Sequence, residues 1–370
     1  MEKITSIISE CGLDAMLITD PKSLRYYTGF RGGEGVALCT VQNADPQKSV
    51  DAEGMLRKTL YVDSRYTEAA GMETEEAGLG FSVREYNHDA PLFTQLREQL
   101  SDAGAEKVGF EDRSMVCSTF TKYHKELGVR LIPLEGAMEK PRQIKSTQEL
   151  ELLKKAESIG DKAFTHILKY LRPGVTELEI AAELEYAMKK NGAEGFSFDT
   201  IVASGFHSAM PHAIPTEKKL EKGDFVTMDF GCIYQGYCSD MTRTVVIGKA
   251  NEKQRTVYHT VLRAHLLAME GLRPGMRCCD VDRIARDYIR DAGYGAYFGH
   301  GLGHSVGLYS HESPALNTRD ESILVPGMIE TIEPGIYIPG FGGVRIEDMG
   351  AVTEEGYVSF STSPKELIEL

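Results

Sequence analysis

Apolar and polar positions follow two different rhythms along these 370 residues. As far as about residue 135, short apolar runs alternate with amphipathic stretches. A helix is expected near Lys3–Cys11 and a strand at AMLITD, followed by the segment SLRYYTGF. A polar insert near Gln42–Lys58 leads to a second strand, TLYVD, which runs into SRYTEAA. A further helix is expected near Ala90–Ala103, ahead of a strand at KVGFED. Strands alternating with helices predict an α/β unit around a largely covered sheet.

The rhythm changes at EKPRQIKSTQELELLKKA, where polar, proline-containing sequence gives way to a helical pattern starting near Ser146–Thr147. Glu149 and Glu151 near that start suit the positive end of a helix dipole. The expected domains are residues 1–138 and 139–370. Within the second, the pattern repeats itself. LRPGVTELEIAAELEYAMKKNGAEGFSF (Leu171–Phe198) parallels LRPGMRCCDVDRIARDYIRDAGYGAYF (Leu272–Phe298). KGDFVTMD, ending at Asp229, parallels PGMIETIE, ending at Glu333. PHAIP (Pro211–Pro215) and SHESP (Ser310–Pro314) also correspond, each with a His three residues before a Pro. A period of about a hundred residues is too long for a solenoid unit. It predicts two facing α+β halves with a site at their shared centre. Thr176 with Glu179 reads as a capping box in the first half, and Asp280 is the expected cap in the second.

Composition narrows the class. The length favours two domains over one core, and 42% hydrophobic residues suit a globular protein. A formal net charge of -14 argues against nucleic acid or an anionic membrane as partner. The seven cysteines (Cys11, Cys39, Cys117, Cys232, Cys238, Cys278 and Cys279) form no C-x-x-C pair. The start, MEKITSIISECGLDAML, is amphipathic and charged rather than a secretory leader, and no apolar run is long enough to span a bilayer. Free thiols in a reducing cytoplasm are expected.

Candidate chemistry gathers in the last third. Asp229, Asp240, His304, Glu333 and Glu347 lie in MDFGCIYQGYCSDMTRTV, FGHGLGHSVGLYSHESP, ETIEPGIYIPG and GGVRIEDM. Glycine beside an acid or imidazole suggests close backbone approach to something bound. Oxygen donors with one imidazole suit a hard or borderline divalent metal. Four carboxylates in one site need strong compensating positive charge, which two ions would provide. With Tyr234-Gln235 as the centre of a hairpin turn, Asp229 and Asp240 face each other with Cβ atoms roughly 5 Å apart. Arg345 precedes Glu347 by two residues, so both point the same way on a strand. It could orient a carboxylate, meet a substrate terminus, or form a structural salt bridge.

These segments resemble those of the pita-bread metallopeptidase family, which includes methionine aminopeptidase, aminopeptidase P, prolidase and creatinase. The order GLDAMLITDPKSLRYYTGF to YVDSRYTEAA resembles the creatinase-type N-terminal domain of aminopeptidase P and prolidase. The resemblance implies an α/β N-terminal domain and an α+β C-terminal pita-bread domain with an internal pseudo-two-fold repeat. It implies that Asp229 chelates one metal, that His304 and Glu333 bind the other, and that Asp240 and Glu347 bridge both. It makes Glu333 a general base as well as a ligand. His311 and His212 are implied donors to the tetrahedral oxyanion, and His300 a pocket wall beside the proline ring. His207, in SGFHS, departs from the family's usual small or amide residue and is left outside the site. His88, His124, His166, His259 and His265 read as ordinary core or surface residues.

The implied activity is hydrolysis of the bond between an N-terminal residue and proline by an aminopeptidase P. Prolidase, an Xaa-Pro dipeptidase with the same site, is the alternative. The size of the N-terminal domain favours the former. Mn(II) is the first choice of metal because most of the ligands are carboxylates; Co(II), Zn(II) and Fe(II) stay open. The implied partners are proline-containing peptides and, by analogy with relatives, a second copy of the chain in a homodimer.

Rival readings fare worse. Gly303-His304-Ser305-Val306-Gly307 matches G-x-S-x-G, but His311 is the last histidine and lies too near for that triad order. No H-E-x-x-H is present, and Gly340 and Gly342 are followed by Arg345 where a dinucleotide fold needs glycine. A non-catalytic relative or a creatinase would be expected to lack part of the five-ligand set.

Overall fold

The computed structural model describes residues 2–41 and 56–370. Most of the polar insert expected near Gln42–Lys58 lies outside them. The chain divides into two compact units, Met1–Pro141 and Arg142–Leu370.

In the first unit, helix α1 (Glu2–Glu10) precedes strand β1 (Ala15–Ile18) and helix α2 (Pro21–Thr28). Then come β2 (Val36–Val41), β3 (Leu56–Val62), α3 (Thr67–Ala77), β4 (Ser82–Glu85), α4 (Leu92–Ala103), β5 (Lys107–Phe110), α5 (Cys117–Leu127) and β6 (Arg130–Pro133). The six strands form one mixed sheet in the order β4-β3-β2-β1-β5-β6. Why the sheet is covered is legible in β1, whose four residues are all buried. Met16 and Ile18 join Ile4, Ile7, Leu24 and Tyr27 in one core. Ala15 and Leu17 join Leu96, Leu100, Tyr123 and Leu127 in another. Strand side chains alternate between faces, so a continuous apolar run feeds two helix layers. The segment SLRYYTGF is helix as far as Thr28: the Asp20 side chain caps its start by accepting the Ser23 N–H, Pro21 opens it, and Gly29 ends it.

A short helix, α6 (Lys140–Gln143), spans the division. The second unit holds α7 (Thr147–Ile167), α8 (Glu177–Lys190), β7 (Gly195–Phe196), β8 (Ile201–Ser204), β9 (Phe225–Phe230), β10 (Cys232–Tyr234), β11 (Tyr237–Cys238) and β12 (Met241–Val246). It continues through α9 (Glu252–Gly271), α10 (Cys278–Asp291), β13 (Gly303–Ser305), β14 (Glu312–Leu316), β15 (Ile329–Ile332), β16 (Gly335–Ile338), β17 (Gly342–Arg345), β18 (Asp348–Thr353) and β19 (Gly356–Ser359). The repeat is visible as two parallel arrangements. Helices α7 and α8 cover β9 and β12 through Ile159, Ala163, Leu184, Met228 and Val245. Helices α9 and α10 cover β15 to β18 through Val261, Ala264, Ala285, Ile332 and Val344.

Capping boxes open α7 (Ser146 with Glu149) and α8 (Thr176 with Glu179). Asp280 is not the cap expected for α10. Arg277 occupies the cap position, and Asp280 sits three residues on, holding the Arg277 guanidinium. Its repeat partner is therefore Glu179 rather than Thr176.

The hairpin register also differs from expectation. The turn residues are Gln235 (φ 44°) and Gly236 (φ 80°), not Tyr234-Gln235. A tight hairpin turn with positive φ at both central positions favours glycine at one of them. Strand pairing then sets Thr242, not Asp240, opposite Asp229. The shift is by two residues, which preserves the face. Asp229 and Asp240 remain on one side of the hairpin as diagonal neighbours.

Candidate active site

A cavity of about 680 Å³ opens in the second unit. Its lining includes all nine residues singled out from the sequence: Asp229, Asp240, His304, Glu333, Glu347, His212, His300, His311 and Arg345. They arrive on separate elements. Asp229 is the penultimate residue of β9, and Asp240 precedes β12. His304 lies on β13, Glu333 follows β15, and Glu347 links β17 to β18.

Local sequence sets their approach. Gly303 lets β13 press against β15: a Cβ there would stand 1.9 Å from the Thr331 carbonyl oxygen. The neighbouring His304 N–H consequently donates to Thr331 Oγ1 at 3.0 Å. That glycine serves strand packing rather than a ligand. The His304 Nδ1–H donates to the Ser305 carbonyl at 3.2 Å, which leaves Nε2 as the free donor atom. Nε2 stands 3.7 Å from Asp240 Oδ2 and 3.4 Å from Glu333 Oε1. Ligand atoms of Asp240, His304 and Glu347 all fall within 4.8 Å of one another.

The electrostatics are those of an acid cluster short of positive charge. Burial, then the Glu347, Asp229 and Glu333 carboxylates, push the Asp240 carboxyl well above its ordinary range. Glu347 is pushed up by burial, Glu333 and Asp229. Burial raises Glu333 to about 8 despite the Arg345 guanidinium. Burial and the neighbouring His311 hold His304 down at about 3, so its ring is neutral. Asp229 Oδ1 is buried with no hydrogen-bond partner among the described residues. A neutral imidazole, crowded carboxylates and an orphaned carboxylate oxygen are the donor set that divalent cations require. The residues therefore fit a metal centre.

Arg345 is buried and already engaged. Its Nη2 pairs with Asp229 Oδ2 at 2.6 Å, Nη1 donates to Tyr337 Oη at 2.8 Å and to the Pro211 carbonyl, and Nε donates to Thr242 Oγ1. Tyr337 Oη in turn stands 3.0 Å from His300 Nε2, whose Nδ1–H donates to the Gly301 carbonyl. Burial, reinforced by Arg345, lowers His300 to about 4. The His311 ring stacks on His304 with centroids 3.9 Å apart, and His212 lies exposed at the cavity wall. His207 is not in the lining. Its Nδ1 meets both oxygens of buried Glu177 at 3.1 Å, which accounts for that residue structurally.

Tyr337 and Thr242 were not anticipated. Thr242 Oγ1 donates to Glu347 Oε2 at 2.6 Å. Its signal was present, since it lies two residues after Asp240 and so shares a strand face. Arg319, also in the lining, lies on a loop and carries no periodic signal.

Comparison with known proteins agrees with this geometry. Residues 151–354 match the model of metallopeptidase family M24, and residues 1–144 match that of the creatinase/prolidase N-terminal domain. The chain belongs to metallopeptidase family M24. This M24 enzyme is a peptidase of a metal-dependent family, with a creatinase-type N-terminal domain and a pita-bread C-terminal domain. It is 38% identical over 370 residues to a protein named Xaa-Pro dipeptidase from Pyrococcus furiosus, covering 100% of this chain and 99% of the relative. Its structure is similar to that of an Xaa-Pro dipeptidase from Bacillus anthracis, with TM-score 0.91 and 42% identity over 100% of this chain and 99% of the other. An X-Pro aminopeptidase from Thermotoga maritima is also similar, with TM-score 0.86 and 36% identity over 97% and 98% of the two chains. Among the described residues, no helix is long and apolar enough to cross a membrane.

Proposed function

We propose that this M24 peptidase is an Xaa-Pro dipeptidase, a prolidase, working with two divalent metal ions, of which Mn(II) suits the carboxylate-rich donors best. The expectation of an aminopeptidase P gives way because relatives similar over nearly the whole chain carry the dipeptidase name. Asp229, Asp240, His304, Glu333 and Glu347 would hold the ions. When bound, such a pair supplies Lewis acidity to the scissile carbonyl and acidifies water.

The chain's own residues do the rest. Glu333 takes the proton of the attacking water on its carboxylate. Ser310 Oγ stands 3.3 Å from His311 Nδ1. With the hydroxyl donating there, His311 Nε2–H is available to the developing oxyanion. His212 serves as a second donor. His300, fixed by Tyr337, walls the space for the proline ring. The tertiary amide of X-Pro has no N–H to read, so recognition rests on shape and on the chain ends.

The observation that favours a dipeptide is Arg319. Among the described cavity-lining residues the cations are Arg345 and Arg319. Arg345 is consumed by Asp229, Tyr337, Thr242 and Pro211. Arg319 is exposed, has no ion pair among the described residues, and can receive the C-terminal carboxylate of a dipeptide. The aminopeptidase reading is kept second because of the Thermotoga maritima structure. Cytoplasmic residence and a homodimer are part of the proposal; the free state of all seven cysteines is consistent with the first.

The test compares an Xaa-Pro dipeptide with an Xaa-Pro tripeptide on Mn(II)-loaded enzyme, parent and Arg319→Ala. The dipeptide should be preferred. Losing the charged hydrogen bond (~1.5–3 kcal/mol) should raise its KM about ten- to a hundredfold, with little change for the tripeptide. Preference for the tripeptide, indifferent to Arg319, would establish the aminopeptidase instead.

A further inference from the structure

A second set of buried polar groups lies behind the acid cluster, on the far side of the ligand-bearing backbone, and outside the cavity lining. Glu157 and Asp161, one turn apart on α7, begin it. Glu157 is fully buried. Its Oε2 accepts the backbone N–H of Asp240 at 3.3 Å, and its Oε1 accepts the Ser361 hydroxyl. Ser361 Oγ also accepts the Met349 N–H at 3.2 Å. Asp161 grips the next two residues: it accepts the Thr362 N–H at 3.0 Å, the Ser363 N–H at 2.7 Å and both their hydroxyls at 2.6 Å.

The segment so held carries the network onward. The Ser363 and Pro364 carbonyls accept from Arg243 Nη2 and Nε at 2.9 and 3.1 Å. The same guanidinium donates to the Glu347 carbonyl and to Asp348 Oδ1. Lys365 Nζ meets Asp348 Oδ2 at 2.8 Å. Asp240 and Glu347 are thereby held by their backbone from one network, while their carboxylates face the cavity. Neither Glu157 nor Arg243 reaches the cavity itself.

We propose that Glu157 is a positioning residue for the metal centre: with Asp161 and the Ser361–Lys365 segment it clamps the backbone of Asp240 and, through Arg243, that of Glu347, and so sets the spacing of these two ligands. This rests on the metal reading of the proposed function. A ligand's orientation depends on what holds it from outside, and loss of such a partner typically weakens metal binding about 10–100-fold. A buried carboxylate with no other task would be replaceable by an apolar side chain of similar size. The clamp predicts that it is not.

The test is calorimetric titration of metal-free protein with Mn(II), beside urea unfolding, for the parent, Glu157→Gln and Glu157→Leu. The amide keeps an acceptor for the Asp240 N–H, so Glu157→Gln should bind close to the parent. Glu157→Leu should bind at least one ion about 10–100-fold more weakly while still unfolding cooperatively. A folded Glu157→Leu with parent-like affinity would overturn the proposal. If Glu157→Leu does not fold, Ser361→Ala carries the test, because it frees the carboxyl without removing the Asp240 contact. Weaker Mn(II) binding is expected there with unfolding still cooperative, although the Met349 N–H loses its acceptor, and parent-like binding overturns the clamp. Failure of the parent itself to bind Mn(II) would overturn the metal reading and this proposal together.

Discussion

Glu347 and Asp348 are neighbours in the chain, equally buried, and electrostatically opposite. Glu347 faces the cavity, where burial, then the Glu333 and Asp229 carboxylates, drive its carboxyl up. Asp348 points the other way. Burial alone would raise it too, but His265, the Arg243 guanidinium and the Lys365 ammonium hold it well below the usual carboxylate range. On the rear side the protein supplies its own cations, as a buried carboxylate demands. On the cavity side one guanidinium, Arg345, answers Asp229, and no lysine or arginine pairs with Asp240, Glu333 or Glu347 among the described residues. The difference teaches that the cavity cluster is built to be completed by positive charge from outside.

The comparison breaks most visibly if the rear pair is cut. Asp348→Asn leaves Arg243 and Lys365 without their buried partner and should cost roughly 3–5 kcal/mol of stability at neutral pH, read by urea unfolding. Because its folded pKa lies below the unfolded value, Asp348 contributes above an unfolded pKa near ~3.9 and loses that contribution as pH falls toward the folded value. Parent and variant should therefore converge in acid. A constant difference at every pH would contradict the assignment.

A smaller effect sharpens the same contrast at Glu330. It is fully buried outside the cavity lining, and both its carboxylate oxygens lack hydrogen-bond partners among the described residues. Burial pushes its carboxyl well up, only partly opposed by Lys145. Here the folded state binds the proton more tightly than the unfolded chain does. Stability should then fall as pH rises from the unfolded value, near ~4.3, toward the folded one. Glu330→Gln should flatten that decline, visible as a smaller drop in Tm between acid and neutral pH. An identical pH profile would show that Glu330 has a partner in solution.

How much of this was legible in the sequence varied by physical cause. Periodicity exposed β1, β3, α4 and the duplicated halves, because each buries a regular face. Periodicity assigned no element to SLRYYTGF; its helix, Pro21–Thr28, starts from the Asp20 cap, a local hydrogen bond without a periodic signal. Gly-rich segments pointed to the acids and to His304, although Gly303 turned out to serve strand approach. The turn at Gln235-Gly236 was misplaced by one residue, which moved the pairing of Asp229 while leaving its face intact. Tyr337, Arg319 and the clamp around Glu157 were invisible, since their roles arise from contacts between segments 8 to 204 residues apart or from a loop without pattern.

The most direct measurement is titration of the metal-free protein with Mn(II) at neutral pH, by calorimetry in two buffers of different ionisation enthalpy. Carboxyls held up by burial and by one another must give up protons when cations bind. The account predicts saturable uptake of two ions per chain with net proton release, and loss of at least one of them in Glu347→Ala. No saturable uptake, or uptake that Glu347→Ala leaves unchanged, would contradict it.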